Sequence, residues 1–353
     1  VYQNTAVRYF GHGSQALEQL KTDLARAEHF IFMEYFIIED GEAFRSIRDI
    51  LIQKARKGVD VRLMYDDIGS LGYVNWRYAA ELNRQGIRCQ VFNPALPILN
   101  LFMNHRDHRK ITVIDGKIGY TGGYNLADEY FGLKFPYGLW KDTGIRLEGE
   151  AVRTLTATFL ELWTLTSREP VDENFLKICH SVPARGYVQP FGDSPLDREH
   201  TAENVYINLI HQARRDVWLM TPYLMITDEL TRALELAAKR GVDVRIITPG
   251  VPDKAAVYAV TRSYYGSLVD KGIRIFEYTP GFLHAKQCIC DGVMASIGTS
   301  NLDYRSLYLH FENNVLLYNC EAVEQMEKDF RETLCQCREV TEQYQSRMLR
   351  FWQ

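Results

Sequence analysis

The chain carries two copies of one unit, and this internal repeat limits its fold more than any other feature. Three short segments recur in the same order: VRYFGHG at 7–13 as VQPFGDS at 188–194, KGVDVRLM at 57–64 as RGVDVRII at 240–247, and QGIRC at 85–89 as KGIRI at 271–275. The offsets of 181, 183 and 186 residues are nearly constant. We therefore predict a first half at residues 1–170, a connector at 171–182 and a second half at 183–353.

Each copy alternates helical and strand patterns. SQALEQLKTDLARAE has apolar residues at helical spacing and precedes the apolar run HFIFMEYFI, and EAFRSIRDILIQKARKG precedes VDVRLMYDD in the same way. Alternating helices and strands predict a parallel or mixed sheet with helices on its faces. We expect two homologous α/β sandwich halves that pack about a pseudo-twofold axis.

A second repeat contains the residues suited to chemistry. His108-x-Lys110-x4-Asp115 returns as His284-x-Lys286-x4-Asp291, and each copy runs on to an asparagine, Asn125 or Asn301. Residues i and i+2 of a strand share a face, so each histidine should project beside its lysine. A hairpin return should bring each asparagine alongside, which predicts one pocket at the interface of the halves.

The two aspartates of these catalytic motifs have a different predicted role. Asp115 and Asp291 each precede a glycine, and Asp-Gly between apolar runs is a strong hairpin signal. We interpret both aspartates as turn and scaffold residues of the motif.

Two imidazoles, two ammonium groups and two amides in one pocket suit a phosphodiester. Lysines and asparagines can hold the non-bridging oxygens, a neutral histidine can attack phosphorus, and a protonated one can donate to the leaving oxygen. This chemistry needs neither a metal ion nor a cofactor, and we expect none.

The paired HxKx4D motifs resemble those of the phospholipase D superfamily over essentially the whole chain. EYFIIEDG, HRKITVIDGKIGYTGGYNLADEY and FENN are similar to segments of its bacterial cardiolipin synthase branch. The resemblance implies transfer of a phosphatidyl group between two phosphatidylglycerol molecules through a phosphohistidine, with release of glycerol. It also implies that His108 is the nucleophile and His284 the general acid.

The resemblance also implies a supporting carboxylate. It falls on Glu312, eleven residues after Asn301, as the residue that orients His284. The same offset in the first half falls on Pro136, so Asp142 is the nearest candidate partner for His108.

Membrane access is expected from the surface of the protein. The apolar segment 94–104 contains five residues that we predict to contact lipid, with a buried connector as the alternative: Pro97, Ile98, Leu99, Leu101 and Phe102. Phe282, two residues before His284, lines either an acyl-chain path or the core.

The composition limits the partners and the cellular location that we expect for this chain. The net charge of −4 disfavours a nucleic-acid partner, and an odd count of seven cysteines is typical of a reducing compartment. No apolar run approaches the roughly 18 residues of a membrane span. We therefore expect a peripheral enzyme that acts on anionic phospholipid at the cytoplasmic face of the cell membrane. An N-terminal anchor outside this chain and the oligomeric state stay open, as do a hydrolase, a nuclease and a non-catalytic scaffold as alternative functions.

Overall fold

Two sheets form the framework of the chain, of which the structure, a computed structural model, describes residues 1–94 and 104–346. The strands of the first half are β1 (Thr5–Phe10), β2 (Phe30–Tyr35), β3 (Asp60–Asp66), β4 (Arg88–Phe92), β5 (Lys110–Ile114), β6 (Ile118–Gly122) and β7 (Gly144–Gly149). Those of the second half are β8 (Tyr187–Asp193), β9 (Asp216–Met220), β10 (Leu224–Met225), β11 (Asp243–Pro249), β12 (Arg274–Tyr278), β13 (Gln287–Cys290), β14 (Met294–Gly298), β15 (Leu302–Asp303), β16 (Glu312–Tyr318) and β17 (Cys337–Glu339).

Helices connect and cover these strands. They are α1 (Gly13–Arg26), α2 (Glu42–Arg56), α3 (Tyr78–Arg84), α4 (Val152–Ser167), α5 (Thr201–Gln212), α6 (Asp228–Lys239), α7 (Ala255–Val269), α8 (Tyr304–Tyr308), α9 (Glu321–Leu334) and α10 (Thr341–Tyr344), with 3-10 helices at Asp128–Phe131 and Glu173–Leu176. Among the helices of the described ranges, none is long and apolar enough to cross a membrane.

The two sheets have the same strand order. The first runs β1-β7-β6-β5-β2-β3-β4, and the second runs β8-β16-β14-β13-β9-β11-β12 with β17 added at its edge. In both, three neighbouring strands are parallel and the strand that follows the HxK motif forms an antiparallel hairpin. The prediction of two homologous α/β halves is therefore confirmed.

The halves share a central core. Helices α4 and α9 lie between the sheets, where Phe159 and Phe330 pack with apolar residues of both halves. Separate cores lie beneath the outer helices, α1 and α2 on one side and α5 to α7 on the other. Because the central core draws on both sheets, it holds the two motif strands in a fixed relation to each other.

Asp115 and Asp291 hold the hairpins that carry the motifs. Both have a left-handed backbone, with φ of 51° and 54°, and each is followed by a glycine with φ of 64°. The Asp115 carboxylate accepts the backbone N–H groups of residues 28, 29 and 30, just before and at the start of β2. Asp291 accepts those of residues 214, 215 and 216, just before and at the start of β9. Both carboxylates therefore brace the sheet, at the end of the motif strand away from the histidine.

Candidate active site

The segment before each motif histidine pairs with the opposite half. The His108 N–H donates to the Phe311 carbonyl at 2.9 Å, and the Phe311 N–H donates to the Arg106 carbonyl at 2.9 Å. In the related position, the His284 N–H donates to the Lys141 carbonyl at 2.7 Å. These reciprocal bridges bring the residue after each bridging position, Glu312 or Asp142, beside the histidine of the other half.

Each histidine therefore receives its carboxylate from the other half. The Glu312 oxygens lie 2.9 and 3.0 Å from Nδ1 of His108, and Oδ2 of Asp142 lies 2.6 Å from Nδ1 of His284. The prediction that Glu312 orients His284 and Asp142 orients His108 was wrong. The physical reason is the backbone pairing across the interface, which residue offsets within one half do not reveal.

These contacts define the tautomer of both rings. A carboxylate accepts hydrogen bonds, so Nδ1 of each histidine carries the proton that it donates. Glu312 is itself held at 2.5 Å by the hydroxyls of Thr299 and Ser306. In the neutral ring, Nε2 of each histidine then carries the available lone pair.

The motif lysines lie buried beside the histidines. Nζ of Lys110 donates to the His108 carbonyl at 2.6 Å, and Nζ of Lys286 donates to the His284 carbonyl. Nζ of Lys286 also lies 2.9 Å from Nδ1 of His284. An ammonium group has three donors, so a lysine pinned by one carbonyl retains N–H groups for phosphate oxygens.

The two asparagines differ in their surroundings. Oδ1 of Asn125 accepts the Ile37 N–H at 3.0 Å, and its Nδ2 donates to the Tyr130 hydroxyl at 2.9 Å. Oδ1 of Asn301 is buried and has no hydrogen-bond partner within the described ranges. A carbonyl oxygen is an acceptor and suits a hydroxyl better than a phosphate oxygen. Asn125 thus positions Tyr130, and phosphate contact by either asparagine stays a prediction.

Burial dominates the proton affinities of the site. It lowers the pKa of both His108 and His284 well below the usual value, and the two ammonium groups lower it further. Burial also lowers the pKa of Lys286 to about 7 and that of Lys110 to about 8. An anionic phosphodiester between the lysines would favour the protonated form of all four groups.

Burial acts on the partner carboxyls in the opposite direction. It raises the pKa of Glu312 and of Asp142 to about 7, although the ammonium groups lower both. Only an ordered positive charge nearby keeps such carboxylates ionised at neutral pH. The histidines, lysines and carboxylates therefore form one coupled buried network.

Different side chains surround the two motif histidines. His284 faces three aromatic rings, with centroid distances of 5.3 Å to Tyr130, 5.4 Å to Trp140 and 5.9 Å to Phe282. His108 faces the Phe36 ring at 5.0 Å. Phe282 thus belongs to the wall of the site. The other predicted access residues, Pro97, Ile98, Leu99, Leu101 and Phe102, lie outside the described residues.

His310 was missed in the sequence. Its ring lies 5.5 Å from that of His108, its Nδ1 lies 3.9 Å from Oε1 of Glu312, and burial lowers its pKa to about 3. Its position two residues before Glu312 was a weak signal, because His310 lies in the bend before β16, where strand alternation does not apply.

His108, His310 and Glu312 are also the group that could hold a metal ion within the described part of the chain. One ligand atom from each lies within 4.8 Å of the others. Both Glu312 oxygens already bond to His108, and each also accepts a hydroxyl. A metal ion would have to replace these hydrogen bonds.

Comparison with known proteins gives consistent matches. Residues 20–163 and 206–334 match a family model described as cardiolipin synthase, PLD-like domain. An uncharacterized protein of Streptococcus mutans is 47% identical over 97% of this chain and 74% of its own length. Cardiolipin synthase 2 of Bacillus anthracis is 40% identical over 95% of this chain, which spans 66% of that protein.

A solved structure shares the fold. Phosphatidylserine synthase of Haemophilus influenzae Rd KW20 matches with a TM-score of 0.72 at 15% identity, over 95% of this chain and 87% of that one. At this identity the likeness shows a common architecture of paired halves and nothing about substrate.

Proposed function

Because the chain belongs to the cardiolipin synthase family of phospholipase D-like proteins, we propose that it transfers a phosphatidyl group from one phosphatidylglycerol to the glycerol headgroup of another. The products are cardiolipin and glycerol. The observation that carries the proposal is the reciprocal pairing of His108 with Glu312 and of His284 with Asp142 across the interface.

In the first step, Nε2 of His108 attacks the phosphorus atom of the donor lipid. The bond from phosphorus to the glycerol oxygen breaks, and protonated His284 gives its Nε2 proton to that oxygen. Lys110 and Lys286 offset the charge that builds on the non-bridging oxygens. Glycerol leaves, and a phosphatidyl group remains on His108.

In the second step, the acceptor lipid replaces glycerol. Neutral His284 takes the proton from the acceptor hydroxyl, whose oxygen attacks phosphorus, and the bond from phosphorus to His108 breaks. His284 is again protonated and His108 neutral, so the cycle closes. We propose that no metal ion takes part, because the two ammonium groups supply the positive charge.

Two contacts support His284 as the general acid. Its carboxylate contact, at 2.6 Å to Asp142, is shorter than either contact of His108 to Glu312, and a short charge-assisted hydrogen bond favours the imidazolium. Trp140 also places its ring 5.4 Å away, and aromatic faces attract cations. Glu312 shares its charge with two hydroxyl donors and Asp142 with one backbone N–H, that of Thr143, which leaves His108 better suited to remain neutral.

We also propose that the enzyme works at the cytoplasmic face of the cell membrane. All seven cysteines are free thiols, which is typical of a reducing compartment. The proposed substrate, an anionic phospholipid, would be met at that surface.

The test is incubation of the purified chain with phosphatidylglycerol vesicles, with cardiolipin, glycerol and phosphatidic acid measured together. Equimolar cardiolipin and glycerol are expected. Phosphatidic acid in place of cardiolipin would make the chain a hydrolase. Absence of all products, with vesicle binding intact, would contradict both activities.

A further inference from the structure

Two loops beside the active site expose large apolar side chains. They are the segments LGYVNWR at 71–77, after β3, and GLKFPYGLW at 132–140, after the 3-10 helix, and we call them the docking loops. Trp76 is 84% exposed, Leu71 73% and Phe135 57%, and Tyr73, Leu133 and Leu139 are also exposed. A water-soluble surface rarely gathers so many large apolar side chains unless they contact a partner or a membrane.

The second docking loop is continuous with the wall of the site. The Tyr137 ring lies 6.3 Å from the rings of Trp140 and Phe282, both of which face His284. The Leu139 N–H donates to the Pro280 carbonyl of the other half at 3.0 Å. The second docking loop is therefore anchored to the other half beside His284.

The first docking loop is fixed beside the other histidine. Just before it, Ser70 donates its hydroxyl to the Phe36 carbonyl and accepts the Ile38 N–H at 3.1 Å, and the Phe36 ring faces His108. Burial raises the pKa of Tyr73, and the charges of Glu129, Glu39 and Tyr137 raise it further, so Tyr73 lies near the second docking loop. The two docking loops form one surface over both halves of the site.

The docking loops themselves carry only positive charge, of which Arg77 suits an anionic partner. Neither docking loop contains a carboxylate, and their charged residues are Arg77 and Lys134. Lys134 is paired with Glu39 and Asp128, whereas the Arg77 guanidinium lies 4.6 Å above the Trp76 ring. Tryptophan, tyrosine and arginine are the residues that settle at the boundary between lipid headgroups and acyl chains.

We propose that the docking loops insert into the surface of an anionic phospholipid bilayer and hold the active-site mouth against the headgroups. The proposal rests on the proposed function, because it takes the substrate to be a bilayer lipid. Insertion would let a phosphodiester reach Lys110 and Lys286 without leaving the membrane. The aromatic wall of His284 would then meet the apolar part of the same lipid.

The test is binding of the 353-residue chain to phosphatidylglycerol vesicles by co-sedimentation, with His108→Ala in every protein so that no lipid is consumed. The test variant adds Leu71→Ser, Trp76→Ser and Phe135→Ser. Its matched control adds Leu165→Ser on α4, Val293→Ser in the turn between β13 and β14, and Tyr318→Ser at the end of β16, three exposed residues outside the docking loops. All six side chains are exposed, so both variants should fold, which thermal melting checks.

We expect the test variant to bind at least tenfold more weakly than its parent and the control to bind as the parent does. Equal loss in the control, unchanged binding by the test variant, or no binding by the parent would each overturn the proposal. Vesicle-independent dimers that the three loop substitutions disperse, with vesicle binding unchanged, would assign the surface to a second copy instead.

A second measurement follows Trp76 directly. Vesicles of brominated phosphatidylglycerol should quench part of the tryptophan fluorescence, and Trp76→Phe should remove that part. The proposed function and the docking surface can be rejected separately. If vesicle binding depends on the docking loops but the unmutated chain makes no cardiolipin, the docking surface stands and the synthase activity is rejected. If the chain makes cardiolipin but its vesicle binding does not depend on the docking loops, the synthase activity stands and the docking surface is rejected.

Discussion

Both carboxylate oxygens of Glu312, in the second half, lie within 3.0 Å of Nδ1 of His108, in the first half. Asp142 serves His284 in the reverse direction. Neither half therefore contains both a motif histidine and the carboxylate that contacts it, and both copies of the unit are needed to build one site. The exchange also means that the sheet interface is part of the catalytic machinery.

Glu312→Gln should lower kcat by about 10²-fold to 10⁴-fold, because an amide can donate to Nδ1 and so force the proton onto Nε2, the nitrogen that must attack. Asp142→Asn should cost a similar factor through loss of imidazolium stabilisation. Cardiolipin formation from phosphatidylglycerol vesicles measures both. Glu161→Gln, an exposed carboxylate paired with Arg109, is the control. Near-normal turnover by Glu312→Gln would remove the carboxylate from the mechanism.

The acid side of the pH profile follows from His108. Burial and the ammonium groups lower its pKa well below the usual 6.5, so the ring stays neutral until the pH falls below this lowered pKa. A protonated His108 cannot attack phosphorus. On this side, kcat/KM should fall only in distinctly acid buffer, and a fall centred at or above pH 6.5 would contradict the assignment.

The lysines add a further fall on the alkaline side, beyond the loss of the His284 proton, whose pKa is also lowered. Lys286, with its pKa lowered to about 7, and Lys110, with its pKa lowered to about 8, lose their charge as the pH rises. Phosphate binding and kcat/KM should therefore fall between pH 7 and 8. Lys286→Arg, which stays charged, should move this limb to higher pH even if the maximum drops. Lys328→Arg, on the exposed face of α9, should leave the limb in place.

Much of this arrangement could be read from the sequence, and the reason is local. The repeat predicted two like halves, and Asp115-Gly116 predicted a hairpin, because turn chemistry and strand alternation are properties of neighbouring residues. The carboxylate partners could not be read in the same way. They depend on backbone pairing between Asp107 and Phe311 and between Lys141 and Leu283, which joins segments more than 140 residues apart and has no local signature.

The residues around the site also differ in whether the sequence could reveal them. His310 could have been suspected from its position two residues before Glu312, although it lies in the bend before β16. The aromatic wall that Tyr130 and Trp140 provide comes from the 3-10 helix at Asp128–Phe131 and the loop after it, and its packing against His284 has no local signature. The docking loops are separate in sequence and lie close together only in the folded chain. In the sequence, each loop has only the pattern of an ordinary turn.

Asp115→Ala should destabilise the fold while sparing the chemistry. It removes an acceptor of three backbone N–H groups and puts alanine at a φ of 51°, which together should cost about 2–4 kcal/mol. Asp115→Asn, which tolerates that backbone and keeps one acceptor, should cost less. Urea unfolding measures the difference. Activity per folded molecule should stay within a few-fold, and a stable but inactive Asp115→Ala would show that the carboxylate acts in catalysis.

Removal of divalent ions should leave the chemical step intact. Chelation with EDTA is expected to preserve most turnover, because the lysines provide the positive charge. Added Zn²⁺ should inhibit, since it prefers the nitrogen and oxygen donors that His108, His310 and Glu312 bring close together. His310→Asn should weaken that inhibition, and His211→Asn, on the exposed end of α5, should not. Complete loss of activity in EDTA that only metal restores would contradict the metal-free step.

The assignment of His108 as nucleophile can be tested by separating the two half-reactions. A phosphatidyl ester of p-nitrophenol has a leaving group that needs no proton, so His284→Ala should still form the phosphohistidine. Without His284 the acceptor hydroxyl is not deprotonated, so the intermediate should persist. We expect one equivalent of nitrophenolate in a rapid burst and, with phosphate-labelled lipid, a label on the peptide that contains His108. His108→Ala should give neither. A burst from His108→Ala, with label on the peptide that contains His284, would reverse the two roles and keep the shared site, because each ring has a carboxylate partner from the other half.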